Sequence, residues 1–575
     1  MTRKLIFTMF VACFTMLSTY AQNLQNNIPK DATFVITINP GVLNSKVKFD
    51  KLKEFDFFKM GMEEMTKQAG PMAGELKKFI NDPSEFGMDM MSSSYAFGKI
   101  DGKNIHMGFV LKVADKSKFD EIIQTYVAPM MPVQKANNME YISADGVNLS
   151  WNSNQIVISS VELDYEGEEE YEAHKERKEK AATDWMNSIM AGSITNSISA
   201  HPKFKLANVN QDDINFWSDY ASLAEITNDM QGAGMNPMAQ MVQEMTKGMY
   251  QDSYISMGLN FNKGATRLNS RYFMNKEMTD IYSKISDVSY NKKFLQYIPK
   301  NNLGYFSFNY NLKNLVDIIK ASDNEMLSQL PIYESMAVEG LKGIGLDMTA
   351  DDIYNLWKGD ALLVVTGMKE FEKEVTTYEY DDDFNKTEVK KMKKEQLPEF
   401  VFMMSHGSKD NILKIIDLGK QSSMISEKKG FFQVSVPDMP MDVYMKVEKD
   451  MILVSNKMDV VTKKAKKVFK KKSLINPKEA LKIMNSTQRI YWNIPKTMDV
   501  VAAMDNMNMD GPEGMMLNMS KDSFESMVFE MNKKVGSSVD GDFILNFNNK
   551  DINSMEQIFN MINEAFSTMM GGSSM

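Results

Sequence analysis

Methionine is the residue type whose abundance could carry chemistry in this chain. The 575 residues include 53 methionines, and two clusters each follow a Phe-Trp or Tyr-Trp pair. Thioethers are soft ligands suited to Cu(I). However, Met238, Met241, Met245 and Met249 recur every three to four residues, which is typical of the apolar face of a helix. Methionine also fills irregular gaps in cores and adaptable contact surfaces.

A core or contact role is therefore favoured over copper binding. An intermediate interpretation is that the methionine helices cover an apolar groove for a lipid or a partner. The predicted ligand or partner surface consists of methionines from both clusters and the tryptophan that precedes each cluster, namely Met235, Met238, Met241, Met245, Met249, Met507, Met509, Met515, Met516, Trp217 and Trp492.

Other reactive side chains are few and scattered. Cys13 is the single cysteine, and the four histidines, His106, His174, His201 and His406, are far apart in the sequence. The chain has no Gly-x-Ser-x-Gly, His-Glu-x-x-His, Gly-x-Gly-x-x-Gly or phosphate-binding loop motif. The sequence therefore assigns no catalytic residue, no metal ligand and no cofactor.

The carboxylates leave two interpretations open. Asp347 and Asp360 flank a helical segment that contains Trp357, and they could form an acid/base or cation site. Helix capping followed by a turn at Gly359-Asp360 explains the same residues and is favoured. Asp381-Asp382-Asp383 departs from the calcium-loop pattern and is better explained as the tip of a hairpin.

The N-terminus predicts export. Arg3 and Lys4 precede an apolar stretch, and Thr19-Tyr20-Ala21 resembles a cleavage site, so residues 1–21 are predicted to be a signal peptide. A lipid anchor at Cys13 is not expected, because the apolar run before it would be very short. No later segment is apolar enough to span a bilayer, and the net charge of −10 gives no support for nucleic-acid binding. We expect a periplasmic or surface-associated protein.

The same order of patterns occurs twice, about 270 residues apart. Ile28-Pro29-Lys30-Asp31 before a strand recurs as Ile298-Pro299-Lys300-Asn301, and Phe216-Trp217 recurs as Tyr491-Trp492. Strands follow strands across short turns, which indicates antiparallel pairing. The predicted fold class is α+β, with two diverged copies of one unit and helices packed on one face of each sheet. The predicted units are 22–292, with a charged insert at 164–182, and 293–575, with a charged hairpin insert at 368–398.

A family resemblance accompanies these patterns. The opening Ile28-Pro29-Lys30-Asp31-Ala32, the stretch from Gly345 to Asp360 and the duplicated layout resemble uncharacterised exported proteins and lipoproteins of Bacteroidota. The resemblance implies a domain of unknown function and suggests no chemistry. Members often carry a lipoprotein cleavage site, which this chain replaces with Thr19-Tyr20-Ala21.

The leading functional hypothesis is a non-enzymatic binding or structural protein of the cell envelope, whose partner is an envelope protein or an apolar ligand. Three alternatives are a carrier of an apolar ligand in a methionine-lined groove, a carboxylate-dependent hydrolase and a Cu(I)-binding protein.

Overall fold

The computed structural model of the chain describes residues 24–571, except for 69–72, 137, 168, 223–249, 321–329, 381–385, 436–440, 470–473, 504–510, 534–535 and 537. The chain folds into two compact units. Unit 1 contains residues up to Asn275 together with the segment from Asn549 onward, and unit 2 contains Lys276–Asn548.

Unit 1 is built around an antiparallel sheet. Its strands are β1 (Phe34–Ile38), β2 (Met88–Asp89), β3 (Ser94–Asp101), β4 (Asn104–Val113), β5 (Gln134–Ala136), β6 (Met139–Ala144), β7 (Val147–Trp151), β8 (Gln155–Glu162), β9 (Ile214–Asp219), β10 (Tyr254–Asn262) and β11 (Ala265–Phe273). Neighbouring strands follow the order β11-β10-β9-β1-β3-β4-β8-β7-β6-β5, and the short β2 pairs with the end of β4.

The α-helices described in unit 1 are α1 (Pro40–Lys46), α2 (Phe49–Leu52), α3 (Asp56–Gln68), α4 (Ala73–Asn81), α5 (Lys116–Ile122), α6 (Tyr171–Ala191) and α7 (Pro202–Ala207). Those described in unit 2 are α8 (Lys276–Ser286), α9 (Leu312–Lys320), α10 (Leu330–Gly343), α11 (Ala350–Tyr354), α12 (Lys409–Gln421), α13 (Met458–Thr462), α14 (Ala465–Val468), α15 (Pro477–Asn485), α16 (Ile494–Ala502) and α17 (Pro512–Ser523). The last helix, α18 (Ser554–Gly571), belongs to unit 1.

Unit 2 has its own antiparallel sheet. Its strands are β12 (Gly304–Asn309), β13 (Asp360–Tyr380), β14 (Lys386–Ser405), β15 (Ile425–Lys428), β16 (Phe431–Val434), β17 (Val443–Val447), β18 (Met451–Ser455), β19 (Ser486–Asn493), β20 (Phe524–Asn532) and β21 (Val539–Phe547). Neighbouring strands follow the order β21-β20-β19-β12-β13-β14-β18-β17-β16-β15.

The predicted α+β class with antiparallel sheets is confirmed. The two sheets also share one strand order, with β1 and β12 in equivalent central positions. A duplication would produce this order, and the duplication itself stays a prediction of the sequence.

Both faces of the unit 1 sheet are covered where β4 and β8 pair. Val110 is buried in a cluster with Trp185 of α6, whereas its neighbour Leu111 is buried in a second cluster with Phe119 of α5. Because successive residues of a strand point to opposite faces, helices must pack on both sides here. The expectation of helices on one face is corrected for this part of unit 1.

The helix that follows the last hairpin of each sheet in sequence belongs to the other unit. α8 follows β11 but belongs to unit 2, where the Tyr282 hydroxyl donates to the backbone oxygen of Asn532 over 2.7 Å. α18 follows β21 but belongs to unit 1, where Phe559 packs against Phe55 and Phe57. Unit 2 is therefore one continuous segment that begins with α8, whereas unit 1 is completed by α18 from beyond the end of unit 2.

Candidate functional site

An apolar pocket lies in unit 1 beside α1, α2 and α18. Its volume is about 330 Å³, at the lower end of the roughly 300–1,000 Å³ typical of small-molecule sites. Eleven of the twelve described lining residues are apolar, and Asn44 is the twelfth. The lining residues are Ile38, Pro40, Leu43, Asn44, Val47, Phe49, Leu52, Ile214, Phe261, Met555, Ile558 and Phe559.

The turn from β1 into two short helices forms one wall of the pocket. Pro40 stands in the first turn of α1, where its fixed φ suits the helix and its missing N–H is not needed. The Asn44 side-chain oxygen accepts a hydrogen bond from the Phe49 backbone N–H over 2.9 Å, which fixes the turn between α1 and α2. Leu43, Val47 and Leu52 are thereby presented to one space.

α18 forms the opposite wall and is fixed at its N-terminal end. The Asn553 side-chain amide donates to the Phe261 carbonyl over 2.9 Å, and the Ser554 hydroxyl donates to the Ala265 carbonyl over 3.0 Å. Gly264, with φ +66°, has a Cβ position 2.8 Å from the Cα of Lys550, so only glycine fits there. The spacing of Met555, Ile558 and Phe559 places all three on one helix face.

Charged groups flank the pocket without lining it. The Lys46 Nζ lies 2.6 Å from each carboxylate oxygen of Asp213, whose side chain is fully buried. The Phe261 backbone N–H donates to the same carboxylate over 2.6 Å. Lys51 and Glu556 pair between α2 and α18. These contacts join the walls of the pocket and leave its interior apolar.

The pocket can bind a molecule but offers no reactive group from the residues described. None of its described lining side chains is ionisable or nucleophilic. An apolar ligand would gain from the removal of its surface from water, at about 25 cal/mol per Å².

A buried polar cluster lies in unit 2, separate from the apolar pocket of unit 1. In this cluster, Asn309 at the end of β12 is opposite Asp360 at the start of β13. Both residues are almost fully buried. Burial raises the pKa of Asp360, and one of its oxygens accepts from the Asn291 N–H over 2.7 Å. Among the described residues, the other Asp360 oxygen and both polar atoms of the Asn309 side chain have no hydrogen-bond partner.

Lys533 extends this polar group. Burial lowers the pKa of Lys533 to about 8, although its Coulomb attraction to Asp360 acts in the opposite direction. Its ammonium donates to the Val288 carbonyl over 3.0 Å. Asp347, predicted as a possible partner of Asp360, is exposed, so the structure places these two carboxyl groups in different environments.

The predicted methionine surface falls mostly on residues outside the described part of the chain. Met235, Met238, Met241, Met245, Met249, Met507 and Met509 lie there, as do the Asp381-Asp382-Asp383 tip and residues 1–21 with Cys13. Met515 and Met516 lie on α17, where Met516 is exposed. Trp217 is buried in the unit 1 core, whereas Trp492 is exposed. The predicted surface stays a prediction.

The residues that line the unit 1 pocket were missed by the sequence reasoning. Met555 is the one methionine among the described lining residues. Leu43 and Val47 are four residues apart, and Met555 and Ile558 are three apart, which is an ordinary amphipathic pattern. Neither segment carries a signal that it contacts the other, some 500 residues away. Periodicity cannot predict that a helix from beyond the end of unit 2 closes this pocket.

The four histidines lie in four separate environments. His174 contacts Glu169, His106 packs on Trp185, and His406 contacts the Glu448 carbonyl. The His201 ring accepts from the Phe204 N–H at the start of α7, and burial lowers the His201 pKa to about 4. Within the described ranges, no group of three or more His, Cys, Asp or Glu side chains could hold a metal ion.

Comparison with known proteins places this architecture in a family. A model described as a domain of unknown function (DUF4836) matches residues 24–555. The chain belongs to that family. Among curated proteins, none matches this DUF4836 chain. None of its described helices is long and apolar enough to cross a membrane.

Two solved structures resemble part of the DUF4836 chain. Crystal form III of TP0453 matches with a TM-score of 0.25 and 7% identity, over 46% of this chain and 86% of that one. Crystal form I of TP0453 matches with a TM-score of 0.24 and 6% identity, over 45% and 81%. These likenesses are too distant to support a functional argument.

Proposed function

We propose that this protein is an exported, non-enzymatic binding protein of the cell envelope that holds an apolar ligand in the unit 1 pocket. The observation that carries the proposal is the lining of the pocket, which comes from the α1, α2 and α18 helices and the ends of β1, β9 and β10 and contains no charged side chain among the described residues. The predicted signal at residues 1–21 supports export.

The size of the pocket limits the class of ligand. A volume of about 330 Å³ suits one acyl chain or a small aromatic molecule, because sites for drug-sized ligands reach roughly 1,000 Å³. A single acyl chain is the class we propose, since aliphatic residues such as Leu43, Val47 and Ile558 predominate over aromatic ones in the lining. This pocket replaces the methionine-lined groove of the sequence-based carrier hypothesis.

The proposal is tested by titrating the full chain, after removal of bound lipid, with dansyl-undecanoic acid. We expect saturable binding at one site, with displacement by unlabelled long-chain fatty acid. Ile558→Trp fills the pocket and should weaken binding at least tenfold. Ile562→Trp, on the same helix but not among the lining residues and 44% exposed, is the matched control.

Two results would contradict the proposal. One is that the delipidated wild-type chain does not bind the probe. The other is that Ile558→Trp binds the probe as tightly as the control variant, which would place the probe elsewhere.

A further inference from the structure

A polar pocket lies in unit 1 and shares no described lining residue with the apolar pocket. Its volume is about 340 Å³. Its lining comes from three segments, namely residues 24–27, residues 152–155 where β7 turns into β8, and residues 190–194 at the C-terminal end of α6. Five of its eleven described lining residues are asparagine or glutamine, and none is charged. This amide-rich lining indicates a ligand of a different class from an acyl chain.

Two of the lining amides are held by the C-terminal end of α6. The Asn27 Nδ2 donates to the Ile189 carbonyl over 2.7 Å, and the Gln155 Nε2 donates to the Met190 carbonyl over 3.3 Å. Both carbonyls belong to the last turn of the helix, where backbone acceptors lack helical partners. Because a carbonyl needs a donor, the anchored atom of each amide is the nitrogen. The Asn27 Oδ1 and the Gln155 Oε1 have no hydrogen-bond partner among the described residues.

Two further amides are held through their oxygen atoms. The Asn152 Oδ1 accepts from the backbone N–H groups of Asn154 and Gln155 over 2.8 and 3.1 Å. The Asn26 Oδ1 accepts from the Ser199 hydroxyl over 2.6 Å. The Nδ2 groups of Asn26 and Asn152 have no acceptor within the described part of the chain. The lining therefore contains two free amide oxygens and two free amide nitrogens, each on a side chain whose other polar atom is already fixed.

Gln155 gives the strongest indication that the pocket is a binding site. Its residue surface is 6% exposed, and its Oε1 has no partner among the described residues although its Nε2 is bonded. A buried carbonyl oxygen without a hydrogen bond costs free energy. A hydroxyl group bound in the pocket would remove this cost. Because the amides are already anchored, such a group would find them ordered, which lowers the entropy lost on binding.

The lining selects a neutral molecule with several hydroxyl groups. A hydroxyl both donates and accepts, so neighbouring hydroxyls can satisfy a free amide N–H and a free amide oxygen together. A phosphate or carboxylate would find no charged partner among the described lining residues. Leu24, Met190 and Ile194 add apolar surface for the C–H groups of a ring. The volume of about 340 Å³ is at the lower end of the range for small-molecule sites, which suits a single sugar ring.

We propose that the polar pocket of unit 1 binds one neutral sugar ring of a saccharide. The site does not depend on the acyl-chain function proposed above, because its lining residues are different. A peptide suits the pocket less well, since extended peptides are recognised chiefly by main-chain hydrogen bonds along a strand edge. The four free amide atoms come instead from side chains on two separate segments.

The test is a ligand-observed NMR titration of the full chain with glucose, galactose, mannose and N-acetylglucosamine. We expect at least one of these sugars to bind saturably at one site. The expected Kd is on the order of 1 mM, the scale for a ligand of about twelve non-hydrogen atoms. N-acetylalanine methylamide, a neutral probe with two peptide groups, should not bind.

Two substitutions change the free amide nitrogens without removing the anchors. Asn152→Asp keeps the oxygen that accepts from the Asn154 and Gln155 N–H groups, but replaces the free donor with a charged acceptor. Asn26→Asp does the same at the other segment. Each should weaken sugar binding about tenfold, the scale of one lost hydrogen bond. Circular dichroism during urea unfolding shows that each variant is folded.

Asn549→Asp is the matched control. The Asn549 Oδ1 accepts from the backbone N–H groups two and three residues later over 3.0 and 3.4 Å, as the Asn152 Oδ1 does at its own turn. Asn549 is not among the described lining residues of the pocket. This variant should bind the sugar as tightly as the wild-type chain.

Three results would overturn the proposal. One is that none of the four sugars binds at concentrations tenfold above the expected Kd. Another is that a folded Asn152→Asp variant binds the sugar as tightly as the Asn549→Asp control. The third is that the sugars fail to bind while the peptide probe binds, or while calcium binds and does so more tightly to Asn152→Asp than to the wild-type chain.

Discussion

The ends of β1 and β12 occupy equivalent central positions in the two sheets, yet the asparagine side chains at these ends differ in their hydrogen bonding. In unit 1, Asn39 donates to the carbonyls of Val209 and Asp212 and accepts from the Ser93 hydroxyl. In unit 2, Asn309 has no side-chain partner among the described residues and lies opposite the buried Asp360. The same sheet position is fully hydrogen-bonded in one unit and uncompensated in the other.

The buried carboxylate near the central strand, and the lysine close to it, also lie in different places in the two units. Asp213 of unit 1 is buried against Lys46, which follows β1 on α1. In unit 2 the buried carboxylate of Asp360 lies on the other side of the central strand, and the nearby Lys533 comes from a distant segment. A shared strand order therefore does not fix the electrostatics of a sheet, because the buried carboxylate lies on a different neighbour of the central strand in each unit.

The largest expected contrast is between two tryptophans that the sequence treats as equivalent. Trp217→Ala removes a fully buried ring, whose centroid lies 5.0 Å from that of Tyr254 and 5.5 Å from that of Phe204. This substitution should reduce the free energy of unfolding of unit 1 by about 3–5 kcal/mol. Trp492→Ala removes a ring that is 37% exposed and should reduce the free energy of unfolding of unit 2 by less, about 1–2 kcal/mol. Hydrogen exchange in urea, read by mass spectrometry, measures each unit separately. Equal losses would contradict the assigned burial.

A smaller effect is expected when the unit 1 ion pair is broken. Lys46→Met leaves Asp213 buried without its cation, which should destabilise unit 1 by about 3 kcal/mol. This value is at the lower end of the range for broken buried ion pairs, because the lysine side chain is one-fifth exposed. The matched double variant Lys46→Met with Asp213→Asn removes the unpaired charge and should recover part of the loss in urea unfolding. A single variant as stable as the wild type would show that the pair contributes nothing.

The smallest effect is a pH dependence in unit 2. The pKa of Lys533 is about 8 in the folded chain and about 10.4 when unfolded. Between these values the unfolded state binds more protons, so stability rises with pH. Contact with water screens part of the cost, so the gain should be about 1–2 kcal/mol.

Lys533→Met should lack this rise, and Lys46→Met should retain it. The measurement is the difference between wild-type and variant unfolding free energies at a series of pH values from about 7 to about 11, a window that spans both pKa values. A flat difference for Lys533→Met would contradict the lowered pKa.

Much of the sheet could be predicted from the sequence because it rests on local signals. Period-two patterns and short turns predict β6, β7 and β8, and capping residues such as Asp115 and Ser408 mark the starts of α5 and α12. Strand order was harder to predict, since the partners of β1 come from segments roughly 60 and 180 residues away.

The tryptophans show that matching motifs in the sequence can assign equivalent positions wrongly by one residue. The sequence pairs Phe216-Trp217 with Tyr491-Trp492. In the sheets, Trp217 lies opposite Val35 of β1, whereas Tyr491 lies opposite Tyr305 of β12. If Asn39 and Asn309 are taken as equivalent, Trp217 therefore corresponds to Tyr491. A slip of one residue moves a side chain to the other face, which explains why one tryptophan is buried and the other exposed.

The placement of α18 in unit 1, after the whole of unit 2 in the chain, has a consequence for synthesis on the ribosome. The pocket wall that contains Met555, Ile558 and Phe559 lies some 500 residues after the wall formed by α1 and α2, so the apolar cleft of unit 1 stays open until all of unit 2 has been synthesised. Unit 2, which already has α8 when β21 emerges, can finish first. A nascent chain halted at Asn548 would therefore expose Leu43, Val47 and Phe261 to water and to chaperones.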